Sequence, residues 1–254
     1  MTWIMVSGLG LGTMDLVPKK VLNKIPLADV VFVENYTGLI PTEEIEKLRS
    51  MNENLVFLTR EDCEVNDYKK IFDALDSGKN VVFLTEGDPM LATTHVNLVI
   101  ELGKRNIDFE LVPSVSIVCA SMSLSGLQIY RLGEVLTFPI DYKRAKNSIR
   151  DKILRGLDNK KHILILFEMD LKAQMYVGPL EFLEFARTDL KEILDNRIVL
   201  ISRLGLRDQK IFSIQLKDLD KVEIGQPPWT MILAVDPHPM EKEYLELIQY
   251  RPED

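Results

Sequence analysis

The chain has 254 residues, enough for one large domain or two modest ones with a substantial core. It is 46% hydrophobic and 28% charged with a formal net charge of -8, and that acidic balance argues against a general nucleic-acid binder, which needs a basic footprint. No run approaches the roughly 18 apolar residues of a membrane span, and the start, MTWIMVSGLG, lacks the basic segment of a signal peptide, so a cytoplasmic protein with no membrane partner is expected.

Through the first half, short apolar runs alternate with helical patterns. Strands are predicted at 2–7, 29–34, 55–59, 80–85 and 108–112, with helices at 18–25, 43–51, 68–75 and 92–104 between them. Unbroken apolar strands separated by helices indicate βαβ units on a parallel sheet. Thr42 before EEIEKL and Asp67 before YKKIFDAL have the side chains of helix N-caps. In the second half, strands are predicted at 133–138, 162–167, 197–202, 210–215 and 230–235, and helices at 144–157, 178–187 and 241–250. RLGLRDQ between two of these strands suits a hairpin with a longer turn. The fold class is α/β with two α/β domains, an N-terminal one at 1–113 on a mainly parallel sheet and a C-terminal one at 114–254 on a mixed sheet.

Cys63 and Cys119 stand far apart with no CxxC, and read as buried small apolar residues in a reducing compartment. The histidines are His95, His162 and His238; none has metal-ligand spacing, so no metal is expected.

The most informative stretch is GDPMLATTH, 87–95, which follows the apolar run NVVFLTE. Gly-Asp-Pro then lies at the carboxyl end of a parallel strand, where ligands collect in open α/β sheets. Glycine lets the backbone turn closely, aspartate offers a fixed acceptor, and Pro89 can open the next helix. On spacing alone it reads either as a ligand loop or as an ordinary turn with a helix cap. GLGLG, 8–12, is not the dinucleotide fingerprint, because residues 13–17 must be crossed before a helix begins at Pro18. Glu34 at the second strand's end, where a ribose-binding acid would sit, does not rescue that reading.

GLGLG, VENYTGL (33–39), FLTREDCEVN (57–66), GDPMLATTH and SLSGLQIYRLG (123–133), in this order and at these distances, resemble the diphthine synthase family. That family belongs to the S-adenosylmethionine-dependent tetrapyrrole methylase superfamily, and the resemblance runs from Trp3 to about Tyr250. Gly-Asp-Pro fits the whole superfamily; ATTH, ENYT and TRED narrow it. The resemblance implies a class III methyltransferase-like fold, with S-adenosyl-L-methionine folded in a cleft between the domains. Positions carried over for cofactor binding are Leu11, Asp88, Leu91, Ser116, Ile117, Met169 in FEMDLKA and Leu204 in SRLG. Asp88 lies near the polar part of the cofactor in this scheme, with Leu91 beside it. Without the resemblance, Leu91, Ile117, Met169 and Leu204 read as plain core packing. PPW, 227–229, stands where the family often has Pro-Pro-His, so either Trp229 replaces that contact by stacking on the adenine or Thr230 does so by a hydrogen bond.

The activity implied is successive N-methylation of the 3-amino-3-carboxypropyl-modified histidine of elongation factor 2. It gives diphthine, in diphthamide biosynthesis, and S-adenosyl-L-homocysteine. A homodimer is implied as well. No dedicated base is evident, so the catalytic residues stay unassigned: His95 and Glu86 are candidates by location, yet water could accept the protons, and His95 reads rather as orienting the loop or capping a buried group; Tyr36 and Tyr130 either face a growing cation or simply pack. The basic DYKRAKN, 141–147, reads as a solvated helix start rather than as a segment that guides the elongation factor electrostatically. The alternatives are a precorrin or ribosomal RNA methyltransferase of the same superfamily, against which ATTH and TRED argue, and a non-catalytic S-adenosylmethionine-binding protein, against which the intact Gly87-Asp88-Pro89 argues.

Overall fold

In the computed structural model, which describes residues 2–36, 38–171 and 173–251, the chain forms two units, Met1–Ile117 and Val118–Asp254. Thr37 of ENYT and Lys172 of FEMDLKA therefore lie outside the described residues.

The predicted apolar runs of the first unit become β1 (Ile4–Gly8), β2 (Val30–Glu34), β3 (Leu55–Leu58), β4 (Val81–Thr85) and β5 (Phe109–Val112). They pair in the order β3-β2-β4-β1-β5, parallel throughout. Helices α1 (Lys19–Lys24), α2 (Thr42–Met51), α3 (Lys69–Asp76) and α4 (Val96–Lys104) connect them. β1, β2 and β4 are buried at every position because side chains of period two meet helices on both faces. Met5, Val31, Val33, Val82 and Leu84 pack with Val21, Ile25 and Leu48 of the α1–α2 side. Ile4, Val6, Phe32 and Phe83 pack with Ile71, Phe72, Leu75, Leu98 and Leu102 of α3 and α4. Each such buried side chain contributes about 1.5–3 kcal/mol.

Three local expectations are corrected. Thr42 is the first helical residue and Pro41 occupies the cap, its carbonyl accepting from the Glu44 and Ile45 amides. Asp67 caps nothing: Asp67 and Tyr68 are both left-handed (φ 46° and 58°), and α3 starts one residue later than expected. Pro89 does not open α4, because the chain turns through a left-handed Ala92 (φ 58°) and becomes helical only at Val96.

The junction itself is helical: α5, Ile117–Ser125, was not expected. Beyond it lie β6 (Leu132–Phe138), α6 (Tyr142–Asp158), β7 (His162–Phe167), a two-strand hairpin of β8 (Met169–Asp170) and β9 (Met175–Tyr176), and α7 (Pro179–Asp189). The chain ends with β10 (Arg197–Ser202), β11 (Lys210–Gln215), β12 (Trp229–Leu233) and α8 (Pro239–Leu247). The sheet runs β11-β10-β12-β7-β6, with β6 and β7 parallel and the other pairs antiparallel, so it is mixed as expected. Its core centres on Phe138, which meets Phe182 edge-on at 5.2 Å and stacks on Tyr142 at 4.8 Å. Cys63 is buried, but Cys119 is exposed, because α5 turns Ser121, Met122 and Ser125 inward and leaves Cys119 off that face. No helix among the described residues is long and apolar enough to cross a membrane.

Candidate functional site

Parallel pairing brings the carboxyl ends of the first unit's five strands to one edge. The loops after β1 and β4 are stitched together there. The Gly87 amide donates to the Gly10 carbonyl at 2.6 Å, and the Leu9 amide to the Thr85 carbonyl at 2.7 Å. Gly10 and Gly87 both have positive φ (63° and 74°), which glycine adopts at no steric cost. A side chain on Gly8 would collide with the Gly87 carbonyl, whereas one built on Gly87 would meet nothing within 4 Å among the described residues. The edge is thus closely packed below Gly87 and open above it.

Asp88 is buried, and both its oxygens are committed. Oδ1 accepts the Met90 amide at 2.8 Å, and Oδ2 accepts the Ser114 amide, from the segment after β5, also at 2.8 Å. The Ser114 Oγ beside it is buried with no hydrogen-bond partner among the described residues.

Behind this edge runs a buried polar chain. The Thr85 hydroxyl donates to Glu34 Oε2 at 2.7 Å, leaving its oxygen to accept from His95 Nε2 at 3.2 Å. His95 Nδ1 then accepts the Tyr68 hydroxyl at 2.8 Å, which assigns the Nε2–H tautomer from the network. Burial pushes the Tyr68 phenol above its ordinary value, in keeping with its donor role. Glu34 Oε1 accepts the Tyr36 amide at 2.8 Å. Burial also raises the Tyr36 phenol, and the Arg60 guanidinium lies 5.3 Å from its ring. The Cys63 thiol is pushed up to about 12, first by burial.

Glu86 sits where β4 ends. Its carboxyl rests against the Gly38 backbone, where a Cβ would overlap it, and it accepts the Leu39 amide. Oε2 is shielded from solvent without a partner among the described residues. Burial, and then the nearby Glu34 charge, push this carboxyl up to about 8.

A family profile described as Tetrapyrrole (Corrin/Porphyrin) Methylases matches residues 4–220. The chain belongs to the tetrapyrrole methylases. Within them it is 32% identical to the diphthine synthase of Methanocorpusculum labreanum, over 95% of this chain and 98% of that protein. It is 32% identical to the diphthine synthase of Pyrobaculum aerophilum, over 97% and 98% respectively. A crystal structure of diphthine synthase superposes with a TM-score of 0.85 at 28% identity, covering 98% of this chain and 96% of that one. The chain is a methyltransferase of the diphthine synthase type.

Of the positions inferred from sequence, the first unit of this methylase brings Leu11 and Asp88 to the stitched edge, both buried. Ser116 is buried just beyond Ser114, and Ile117 is half-buried at the start of α5. Leu91 is 46% exposed, so core packing does not account for it. In the second unit, Leu204 is buried in the turn after β10, close to Trp229 through the Ser202–Trp229 pairing and the Arg203 amide on the Pro228 carbonyl at 2.8 Å. Trp229 is half-buried and spends its indole N–H on the Ile224 and Gly225 carbonyls, each at 3.2 Å. Met169 is half-buried in β8. Tyr130 is 85% exposed on a short 3-10 turn.

Sequence reasoning missed Ser114 and the part Glu34 plays. Ser114 carried a signal, being a polar residue at a strand's carboxyl end. Glu34 drew attention as a ribose-type acid, but the structure ties it to Thr85 and the Tyr36 amide. No group of three or more His, Cys, Asp or Glu side chains among the described residues is placed to hold a metal ion.

Proposed function

We propose that this methyltransferase uses S-adenosyl-L-methionine to methylate the amino group of the 3-amino-3-carboxypropyl-modified histidine of elongation factor 2. The products are diphthine, in diphthamide biosynthesis, and S-adenosyl-L-homocysteine. The reading is carried by near-full-length likeness to diphthine synthases, joined to an intact Gly87-Asp88-Pro89 edge.

The edge fits such a cofactor on two observations: the open face above Gly87 and the buried Ser114 Oγ, which has no partner among the described residues. A ligand bearing amino, carboxylate and hydroxyl groups would satisfy that oxygen. Leu11, Asp88, Leu91, Ser116 and Ile117 of the first unit and Met169, Leu204 and Trp229 of the second are the residues proposed to hold it. Asp88 would act by fixing the loops on either side of it, since its oxygens already hold two amides.

When bound, the cofactor supplies a methyl group already activated on a sulfonium. The protein's work is then placement, which in well-aligned systems is worth about 7–11 kcal/mol. The acceptor amine must also be neutral. Between the α-amino and lysine references, about 8 to about 10.4, it is largely protonated near neutrality, and each unit of deficit costs about 1.4 kcal/mol. A homodimer in the cytoplasm completes the reading, both by resemblance to the family.

Intact-protein mass spectrometry tests it. The purified chain, S-adenosylmethionine and elongation factor 2 carrying the modified histidine should give mass gains in methyl steps. A factor with that histidine replaced should gain nothing. No gain on the modified factor, with cofactor binding seen by calorimetry, would redirect the search to tetrapyrroles and RNA.

A further inference from the structure

Transfer to an amine leaves a proton problem that the family likeness does not solve. The ammonium must lose a proton before each attack, and placement alone does not remove it. Among the described residues at the strand edge, the carboxyl of Glu86 stands out. Its Oε2 is buried and lacks a partner among the described residues, a costly arrangement unless a further group completes it. Its position is fixed from two sides. The Gly38 backbone is so near that a Cβ there would overlap it, and the Leu39 amide holds the carboxyl. On the neighbouring strand, Val33 is in register with Leu84, so Glu34 ends β2 beside the end of β4. Glu34 in turn is clamped by Thr85, by the Tyr36 amide and, through Thr85, by His95.

We propose that Glu86 takes the proton from the substrate ammonium before each methyl transfer, with Glu34 held beside it by the Thr85–His95–Tyr68 chain. This rests on the amine-methylation reading above. In each round the ammonium gives its proton to the Glu86 carboxylate, leaving a neutral amine and a carboxylic acid. The amine lone pair forms the new N–C bond as the bond from the methyl carbon to sulfur breaks, its electron pair leaving with the thioether. The acid then loses its proton to solvent, and the next round can begin.

The surroundings suit that exchange. Burial and the Glu34 charge bring the carboxyl to about 8, close to the amine it must serve. The other titratable and charged groups nearby are His95 with Tyr68, and Tyr36, which is hydrogen-bonded to Cys63 and faced by Arg60. His95 is a positioning residue, because its ring is wholly buried and spends both nitrogens on Tyr68 and Thr85.

Glu86→Gln and Glu86→Asp in the full chain test the proposal. Carbon NMR of carboxyl-labelled glutamate on the free protein should show one side chain titrating near pH 8 that is absent from Glu86→Gln. Methyl transfer to the modified factor should rise with pH through the same range in the unaltered chain. Glu86→Gln should slow it about 100-fold or more, the scale of lost general-base help, with cofactor affinity and the circular dichroism spectrum kept. Glu86→Asp should recover part of the rate with a shifted pH profile, and it decides the matter if Glu86→Gln does not fold. A glutamine variant with an unchanged rate and pH profile, or no such titrating carboxyl, overturns the proposal alone. An unaltered chain that transfers no methyl to the factor overturns the substrate reading and this proposal with it.

Discussion

Asp88 and Ser114 are joined by a 2.8 Å hydrogen bond from the Ser114 amide to Oδ2, which ties the loop after β4 to the segment after β5. The other oxygen holds the Met90 amide at the same distance. Asp88→Ala should therefore strip acceptors from two amides at once, costing about 1–3 kcal/mol in urea unfolding. Asp88→Asn keeps one accepting oxygen but turns its NH2 toward the other amide, so it should fall between alanine and the parent. Cofactor affinity measured by calorimetry should drop in both. An alanine variant as stable as the parent would mean that the tie does not matter.

Trp229 gives a second test, in the second unit. The indole N–H is shared by the Ile224 and Gly225 carbonyls, and the ring lies against Gly178, where an added Cβ would come within 2.9 Å of it. Trp229→Phe should keep most of the packing and lose the hydrogen bonds, at about 1 kcal/mol. Gly178→Ala should force the ring aside and cost about 1–3 kcal/mol, the range for overpacking. If the indole also stacks on the cofactor's adenine, Trp229→Phe should weaken cofactor binding less than Trp229→Ala does. Equal affinities in all three proteins would remove Trp229 from the cofactor set.

His162 and Glu241 form a buried pair whose stability should depend on pH. His162 Nδ1 accepts the Val235 amide at 3.1 Å, so Nε2 carries the hydrogen toward Glu241 Oε1 at 3.2 Å. A charged ring would place two donors face to face at Val235. Burial holds the His162 pKa below its ordinary 6.5. For Glu241, burial opposes the charge, but the Gln128 and His238 amides and the imidazole keep its carboxyl below the usual range. Both groups bind fewer protons folded than unfolded. The His162 contribution is present above pH 6.5 and is lost as pH falls below it, whereas that of Glu241 is present above pH 4.5 and is lost only below that. Urea midpoints should decline on acidification through about pH 6 at up to about 1.4 kcal/mol per unit for one group. His162→Gln should be less stable near neutrality and flatter with pH. A parent chain with no decline there would contradict the assignment.

How much of this was legible in the sequence depended on pattern. β2 and β4 are unbroken apolar runs bounded by polar residues, and both fell where expected. The stitched edge was legible too, because Gly-Asp-Pro and GLGLG each close such a run. α5 was not, since Ile117–Ser125 has serines at 121, 123 and 125, no charge and no polar stripe to set a helical period. The start of α4 was misplaced because Ala92 adopts a left-handed backbone that alanine rarely takes, and nothing in the letters marks it. The Glu34–Thr85–His95–Tyr68 chain was hidden for a different reason. Its members come from four separate segments: the parallel pairing of β2 with β4 brings Glu34 to Thr85, and the packing of the segments before α3 and α4 brings Tyr68 and His95 to them.

The Glu86 carboxyl should leave its own mark on stability, opposite in sign to that of His162. Its pKa stands at about 8 in the folded chain against an ordinary 4.5, so the folded state keeps a proton that the unfolded state has already released between those values. The group's contribution is therefore fully present below about pH 4.5 and is lost as pH rises through about 8. Above that, the folded chain must hold an unpaired charge beside Glu34. Glu86→Gln carries no such proton and has nearly the same shape. At about pH 5 it should nearly match the parent, and at about pH 8.5 it should be more stable by several kcal/mol, at about 1.4 kcal/mol for each pH unit over which only the folded state holds the proton. Function and stability would then pull in opposite directions at this position, as they often do where a site stores an unfavourable charge. Urea unfolding of the two proteins at both pH values separates the cases. A difference that does not grow with pH would show that the parent carboxyl is already solvated or already paired.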